Sequence, residues 1–520
     1  MVSRTAVPLG GSYECVVIGS GNGGLAAAAQ MAAKGVKVLL LEQHNVPGGF
    51  ASSFVRGRFE FETAMHLIAD MGPPGNKGGV RAFLEDELGV YLDWVEIPEA
   101  FRMIVTDPAE ELDVTLHYGV KEYIDTIEKE VPGSRESISN YIDLCMEVVD
   151  ALTYLGESRG QPDRKVLTSK YANFLKTAPY SVERVADALQ VPRKAQAIFH
   201  APWMYLGPPT SRLNFTVFAG MMAKLIAFSG YVPHHRSHEF TTAVEARIRE
   251  LGGETRFNTR VDQILVEDGR VAGVVTSHGE RIATKHVVAN ASPALVYSRL
   301  AAPRSSVPEI AHRESNARRL SVSALVVYLG LDAPPEKLGL DEYSYFVYAN
   351  TNTDDVYASF GTLGTPKGQA TACLNNALPD ASPPGTTILS LTTLYRPEAW
   401  AGVQPRDYVR IKNESARGLI SDFEKATGAS IREHVEEVEV ATPVTFARYT
   451  GVRGGAIYGY EPDTWDSLIP RMMAMNDEKH IEGLEFAGGY AFRCHGYSSS
   501  FLSGQVAGLL TLASLEQEKG

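Results

Sequence analysis

The chain has 520 residues, 44% hydrophobic and 21% charged, the profile of a globular protein with material for two or three domains. Its 49 Lys and Arg face 62 Asp and Glu, and the resulting net charge of −13 repels phosphate backbones, so no nucleic acid is expected as a partner. Four cysteines (Cys15, Cys145, Cys373, Cys494) stand singly, which excludes a disulfide framework or thiolate zinc site and fits a reducing compartment.

Residues 13–18 (YECVVI) read as a buried parallel strand that stops at glycine. Gly19-Ser-Gly21-Asn22-Gly23-Gly24 then fills the G-x-G-x-x-G pattern: Gly19 permits a tight turn, Gly21 admits a pyrophosphate, and Gly24 lets a helix pack on the strand. The alanine-rich residues 25–33 supply that helix, its positive end toward phosphate. Residues 36–41 form the next strand, and Glu42, followed by Gln43, stands where an acid accepts hydrogen bonds from a ribose. An acid here also argues against a 2′-phosphate. A dinucleotide-binding α/β unit is therefore expected.

Further along, Ile138, Ile142, Cys145, Val149 and Leu152 recur at helical spacing and predict one apolar helix face packed in the core. Residues 217–228 form the most apolar stretch, broken only by Lys224. It predicts a buried helix, with a tunnel wall or a membrane-dipping entrance as the functional alternatives. It is too short to span a bilayer, and no basic leader precedes an apolar run at the start of the chain, so a cytoplasmic location is expected, with peripheral membrane contact left open. His234, His235 and His238 crowd beside Glu239, but their spacing fits no zinc signature; no metal is expected, and a polar helix cap or a role near the cofactor both stand. Strand patterns at 321–329 and 387–392 and a charged helix at 407–425 predict a sheet backed by helices.

Pro47-Gly48-Gly49-Phe50-Ala-Ser52-Ser53, then 57–62 (GRFEFE) and Met65-His66, together with 483–489 (GLEFAGG) and 496–504 (GYSSSFLSG), go beyond a generic nucleotide fold. On these residues the chain resembles the phytoene-desaturase-like flavoproteins, a group of phytoene desaturases, carotenoid isomerases and retinol saturases. The islands of similarity run from about residue 13 to 510. The resemblance implies FAD as cofactor. It implies cofactor contacts at Gly48 and Gly49 under the FAD, at Phe50, Ser52 and Ser53, at Val261 against the adenine, and at Gly488, Gly489, Gly496, Tyr497 and Ser498 around the C-terminal turn. Residues 286–291 resemble the strand below the flavin, and 443–449 and 454–459 a segment at the substrate end. Three departures are Phe50, where the group usually has arginine, Gly489, where an acid is usual, and the largest, His234 to His238, where the group often has a glycine pair after tyrosine-proline.

The implied architecture is a Rossmann-like FAD-binding domain in three pieces, 1–75, 232–300 and 441–520. A discontinuous α+β substrate domain is inserted as 76–231, mostly helical, and 301–440, a sheet plus helices. Catalytic candidates are His66, His234, His235 and Tyr497, with Arg493 and His495 beside the last turn; nothing in the spacing of Cys494 demands a covalent flavin link. The implied activity is desaturation or saturation of carbon–carbon bonds in an apolar, polyene or isoprenoid-like substrate, with an unidentified electron partner. Redox-neutral isomerisation is the first alternative and a lipid-binding escort protein the second. The oligomeric state is not readable.

Overall fold

The computed structural model describes residues 9–64, 66–158, 162–466, 468, 469, 471, 480–491 and 495–519. Cys15–Ile18 and Val38–Leu41, each an uninterrupted buried apolar run, lie side by side at the centre of a five-stranded parallel sheet. Its order is Glu254–Arg256, Val38–Leu41, Cys15–Ile18, Val287–Ala289, Leu484–Phe486. Successive side chains leave opposite faces. Cys15, Val17, Val38 and Leu40 therefore pack under helices, while Val16, Ile18, Leu39 and Leu41 pack on a second sheet containing Val261–Glu267 and Arg270–Thr276.

The helix Asn22–Ala32 is buried on every side because the last helix, Tyr497–Lys519, lies against it. That approach is close. A Cβ on Gly504 would strike the Gly23 carbonyl oxygen, and one on Gly508 would come within 2.9 Å of Gln30 Cβ. The fold is thus α/β with a Rossmann-like core.

A seven-stranded sheet forms the other half, in the order Val435–Ala441, Ser323–Leu331, Thr387–Tyr395, Gly368–Cys373, Ser344–Tyr348, Phe101–Val105, Leu112–Leu116. Alternation again divides its residues. Leu325, Val327 and Leu391 pack with the helix Pro405–Thr427, and Ala324, Val326 and Leu394 face a helical layer. The last two strands at one end of this sheet, Phe101–Val105 and Leu112–Leu116, come from a segment expected to be mostly helical. The alternation in Leu112-Asp-Val-Thr-Leu116, buried at every second residue, is the period-two signal for it.

The helical layer includes Arg135–Glu157 and Phe215–Phe228. Asn214 starts the latter, its side chain accepting from the N–H groups of Thr216 (3.0 Å) and Val217 (3.4 Å). Among the described residues no helix is long and apolar enough to cross a membrane.

Candidate functional site

One cavity of about 1840 Å³ runs between the two halves. That exceeds the room a single small ligand needs. At the nucleotide end, Gly19 has φ +91° and Gly48 φ +114°, conformations open to glycine but strained for other residues. A Cβ on Gly24 would strike the Gly19 carbonyl, and one on Gly23 the Gly488 backbone, so the turn, the helix start and the C-terminal strand close on one another only through glycine.

Gly21 lines the cavity, and a Cβ there would lie 2.7 Å from Asn290 Nδ2, so the side-chain amide would have to shift to admit one. Asn290 is a site residue the sequence reading passed over. It follows the strand Val287–Ala289, its N–H donates to Ile18 O (2.9 Å), and its side chain fills the space that Gly19, Gly21, Gly23 and Gly488 leave. A polar residue at the carboxyl end of a central parallel strand was the available signal.

Glu42 is buried. Its carboxylate accepts from Ser20 N–H (2.6 Å), Ser20 Oγ (2.8 Å) and the N–H of His44 (2.8 Å), which ties the fingerprint turn to the end of the neighbouring strand. Gln43 donates to Tyr449 O at 3.2 Å. Glu42, Gln43, Gly48, Gly49, Phe50, Val261, Gly488, Gly489, Gly496, Tyr497 and Ser498 all line the cavity, as do Gly19, Gly21, Asn22 and Gly23. Gly24 does not, because it serves the turn. Ser52 and Ser53 do not either: Ser52 Oγ donates to Gly49 O (2.8 Å), and Ser53 Oγ bonds Glu60 (2.5 Å) and His238 (2.7 Å), so both brace the hairpin Ser53–Arg56/Phe59–Glu62. A dinucleotide fits the rest. Asn22 Oδ1 is buried without a partner among the described residues, beside a cradle that side chains would fill.

Tyr497 donates its OH to Phe50 O (2.8 Å), and burial holds its pKa far above the usual value. Its proton is committed to joining the glycine-pair loop to the last helix, so it positions the site rather than catalysing. Ser498 Oγ donates to Ala69 O (2.5 Å) in the same way.

Where the cavity passes the seven-stranded sheet, His66 lines it. Tyr205 OH stands 3.5 Å from Nδ1 and Thr392 Oγ1 3.4 Å from Nε2, contacts too long to occupy either nitrogen strongly. Enclosure by protein pulls its pKa down to about 4 from the ordinary 6.5, so at neutral pH His66 is an uncharged imidazole. His495 is likewise held near 4 by burial, stacked on Tyr458 at 4.3 Å, and its Nε2 lies 3.0 Å from Tyr205 O.

Beyond them the wall is apolar. Val149, Leu152 and Leu155 come from Arg135–Glu157, Val217, Met221 and Leu225 from Phe215–Phe228, and Ala324, Val326 and Leu394 from the sheet. The predicted face of the first helix therefore splits: Ile138, Ile142 and Cys145 are core, while Val149 and Leu152 line the cavity. Two charged residues sit in this wall, Lys224 and Asp70, paired with each other.

The histidine cluster lies elsewhere. His234 is gripped by Asp93 (2.8 Å) and Asp380 (3.1 Å), hydrogen bonds that raise its pKa, and His235 stacks on it at 4.8 Å. His238 bonds Ser53 and Glu60. None lines the cavity, so His234 and His235 hold surface segments together and receive no catalytic role here. Among the described residues no group of His, Cys, Asp and Glu is arranged to hold a metal ion. Met65, Arg493 and Cys494 lie outside the described residues.

A glycine-built cradle on a Rossmann-like sheet, opening into an apolar channel, defines a flavin-type oxidoreductase. The chain belongs to the flavin-containing amine oxidoreductase family, whose model matches residues 148–505; an NAD(P)-binding Rossmann-like domain model matches 17–86. The family is enzymatic and uses flavin, which sets aside the escort-protein alternative, and the phytoene-desaturase-like resemblance stands within it.

Among similar proteins, all-trans-retinol 13,14-reductase of Homo sapiens is 26% identical over 92% of this chain and 82% of its own length. The chloroplastic prolycopene isomerase of Daucus carota is 25% identical over 99% of this chain and 83% of its own. Of solved structures, wild-type putrescine oxidase bound to putrescine superposes with TM-score 0.63 at 12% identity, covering 96% and 99% of the two chains. An oxidoreductase from Methanosarcina mazei gives 0.62 at 14%, covering 96% and 99%. These structures share the fold.

Proposed function

We propose that this protein is an FAD-dependent oxidoreductase that adds or removes hydrogen across a carbon–carbon double bond of a long, apolar, polyene or isoprenoid-like molecule. The observation that carries the reading is the continuity of one cavity from the glycine cradle, past His66, into walls of Leu, Val and Met. Bound FAD would supply acceptance and donation of an electron pair, chemistry that no side chain here provides. Glu42 and Asn290 would hold the nucleotide end of the cofactor, while Tyr497 and Ser498 tie the last helix to the loops at Phe50 and Ala69. His66, uncharged and lightly bonded, accepts or delivers a proton at Nδ1 or Nε2, and the apolar wall excludes water. Residues 1–75, 232–300 and 441–520 form the cofactor part of this reading, and 76–231 and 301–440 the substrate part.

Redox-neutral isomerisation is the second reading, favoured by the match to prolycopene isomerase over nearly the whole chain. Anaerobic incubation with a candidate polyene, followed by mass measurement of the product, separates the two. A change of two hydrogens in proportion to an added electron partner supports the oxidoreductase. An equal-mass product over many turnovers without one overturns it.

A further inference from the structure

At its nucleotide end the cavity reaches the surface between three segments: 259–262, 291–300 and the end of the helix Pro443–Thr450. Each contributes an exposed arginine to the lining, Arg260, Arg299 and Arg448. Arg260 is paired with Asp262 at 2.7 Å. Arg299 and Arg448 have no hydrogen bond or ion pair among the described residues, so two uncompensated positive charges stand on one rim.

The rim is held in place. The Gln43 side chain donates to Tyr449 O at 3.2 Å and the His44 ring stacks on that of Tyr449 at 5.1 Å, which fastens the helix carrying Arg448 to the end of the strand Val38–Leu41. Leu295, one turn before Arg299, lies 3.6 Å from where a Cβ on Gly451 would stand, so the two arginine-bearing segments are neighbours. A cation in the last turn of a helix gains from the helix dipole, but that gain is small at exposed positions and gives no reason for both to line one opening.

Charge supplies a reason. The chain carries a net −13, so an anionic ligand is repelled over most of its surface. At the nucleotide end the Glu42 carboxylate is already bonded to Ser20 and His44, which leaves a glycine cradle and a helix start to meet a diphosphate. Neutral N–H groups hold an anion at contact and attract it little from a distance.

Resting on the FAD reading above, we infer that Arg299 and Arg448 form a capture site for the cofactor: their joint charge draws the diphosphate of the incoming dinucleotide to the rim, from which it passes inward to the glycine cradle. Their effect falls on the rate of association, while the cradle sets the rate of release.

The test mixes the flavin-free full chain with FAD by stopped flow and follows the quenching of flavin fluorescence. At about 20 mM salt, where charges act over roughly 20 Å, Arg299→Gln/Arg448→Gln should associate roughly tenfold more slowly than wild type, with dissociation within about twofold. At about 0.5 M salt, where that reach falls to roughly 4 Å, the two association rates should converge. Arg299→Lys/Arg448→Lys, which retains both charges, should keep the wild-type rate. The single variants Arg299→Gln and Arg448→Gln, each expected to slow association about threefold, carry the test should the double variant fold poorly. Equal association of wild type and the double glutamine variant at low salt overturns the inference, as does a deficit that persists at high salt, falls on dissociation alone or appears equally in the lysine variant. A lowered Tm with unchanged association overturns it too, since the arginines would then serve only their helix ends. Failure of the wild type to take up FAD at either salt concentration overturns the FAD reading itself.

Discussion

Around Gly19 to Gly24 a residue is selected by what a Cβ would hit, whereas along the helices Arg135–Glu157 and Phe215–Phe228 it is selected by the volume it fills. At the first site the obstacles include backbone atoms of Gly19 and Gly488, which cannot retreat without moving the turn or the strand end. At the second they are Met, Leu and Val side chains, which other apolar residues of similar size replace at small cost. One end of the cavity is therefore rigidly written and the other loosely, which suits a fixed cofactor site joined to an adaptable substrate wall.

Four variants and one control probe that contrast. Gly24→Val should have the largest effect, destabilising by roughly 3 kcal/mol or more because the turn cannot open; urea unfolding and flavin content measure it. Gly402, where a Cβ meets nothing, is the control, and Gly402→Ala should leave both unchanged. If Gly24→Val unfolds like wild type, the rigid-end description is wrong.

His66→Phe comes next, with kcat lowered roughly a hundredfold at unchanged flavin content, the scale of lost proton transfer. Because the folded pKa of His66 lies near 4, no inflection in the wild-type rate should arise from it between pH 5.5 and 8. Its stability contribution has a definite sign. The neutral ring is favoured in the fold, so the unfolded chain, with a pKa near 6.5, binds the extra proton, and stability is lost as pH falls from 6.5 towards 4. The phenylalanine variant should lose less Tm than wild type across that window.

Glu42→Ala should weaken FAD by about 1–3 kcal/mol, the cost of leaving buried polar partners unsatisfied. Since Glu42 also bonds Ser20 and His44, a drop in Tm of the flavin-free protein is expected alongside. Unchanged FAD affinity would remove Glu42 from the cofactor site. Smallest of all, His234→Ala with His235→Ala should alter turnover by less than twofold and stability by no more than about 1 kcal/mol, the range of surface ion pairs. A larger loss of kcat would restore the cluster to the mechanism.

The same contrast explains how much was legible beforehand. The strand, turn, helix and Glu42 were readable because backbone geometry admits few residues there. The role of Asn290 was not, since its partners come together only when strands distant in sequence pair. His234 to His238 drew attention by composition, yet their partners Asp93 and Asp380 are remote in sequence, and only the fold reveals a surface clamp. Lys224 stood out as a break in an apolar run, but its meaning depended on Asp70, 154 residues away. The strand 112–116 carried a period-two pattern overlooked beside the stronger helical signals around it.

The order of strands in the parallel sheet has a consequence for biosynthesis. Val287–Ala289 pairs on one side with Cys15–Ile18 and on the other with Leu484–Phe486, and the helix that follows covers Gly23. A nascent chain therefore carries an unfilled sheet edge and an uncovered fingerprint helix through the synthesis of nearly two hundred intervening residues. The site is therefore complete only once residues 484–519 have left the ribosome, and a chain halted earlier is expected to hold no flavin and to pair with its neighbours through the open edge.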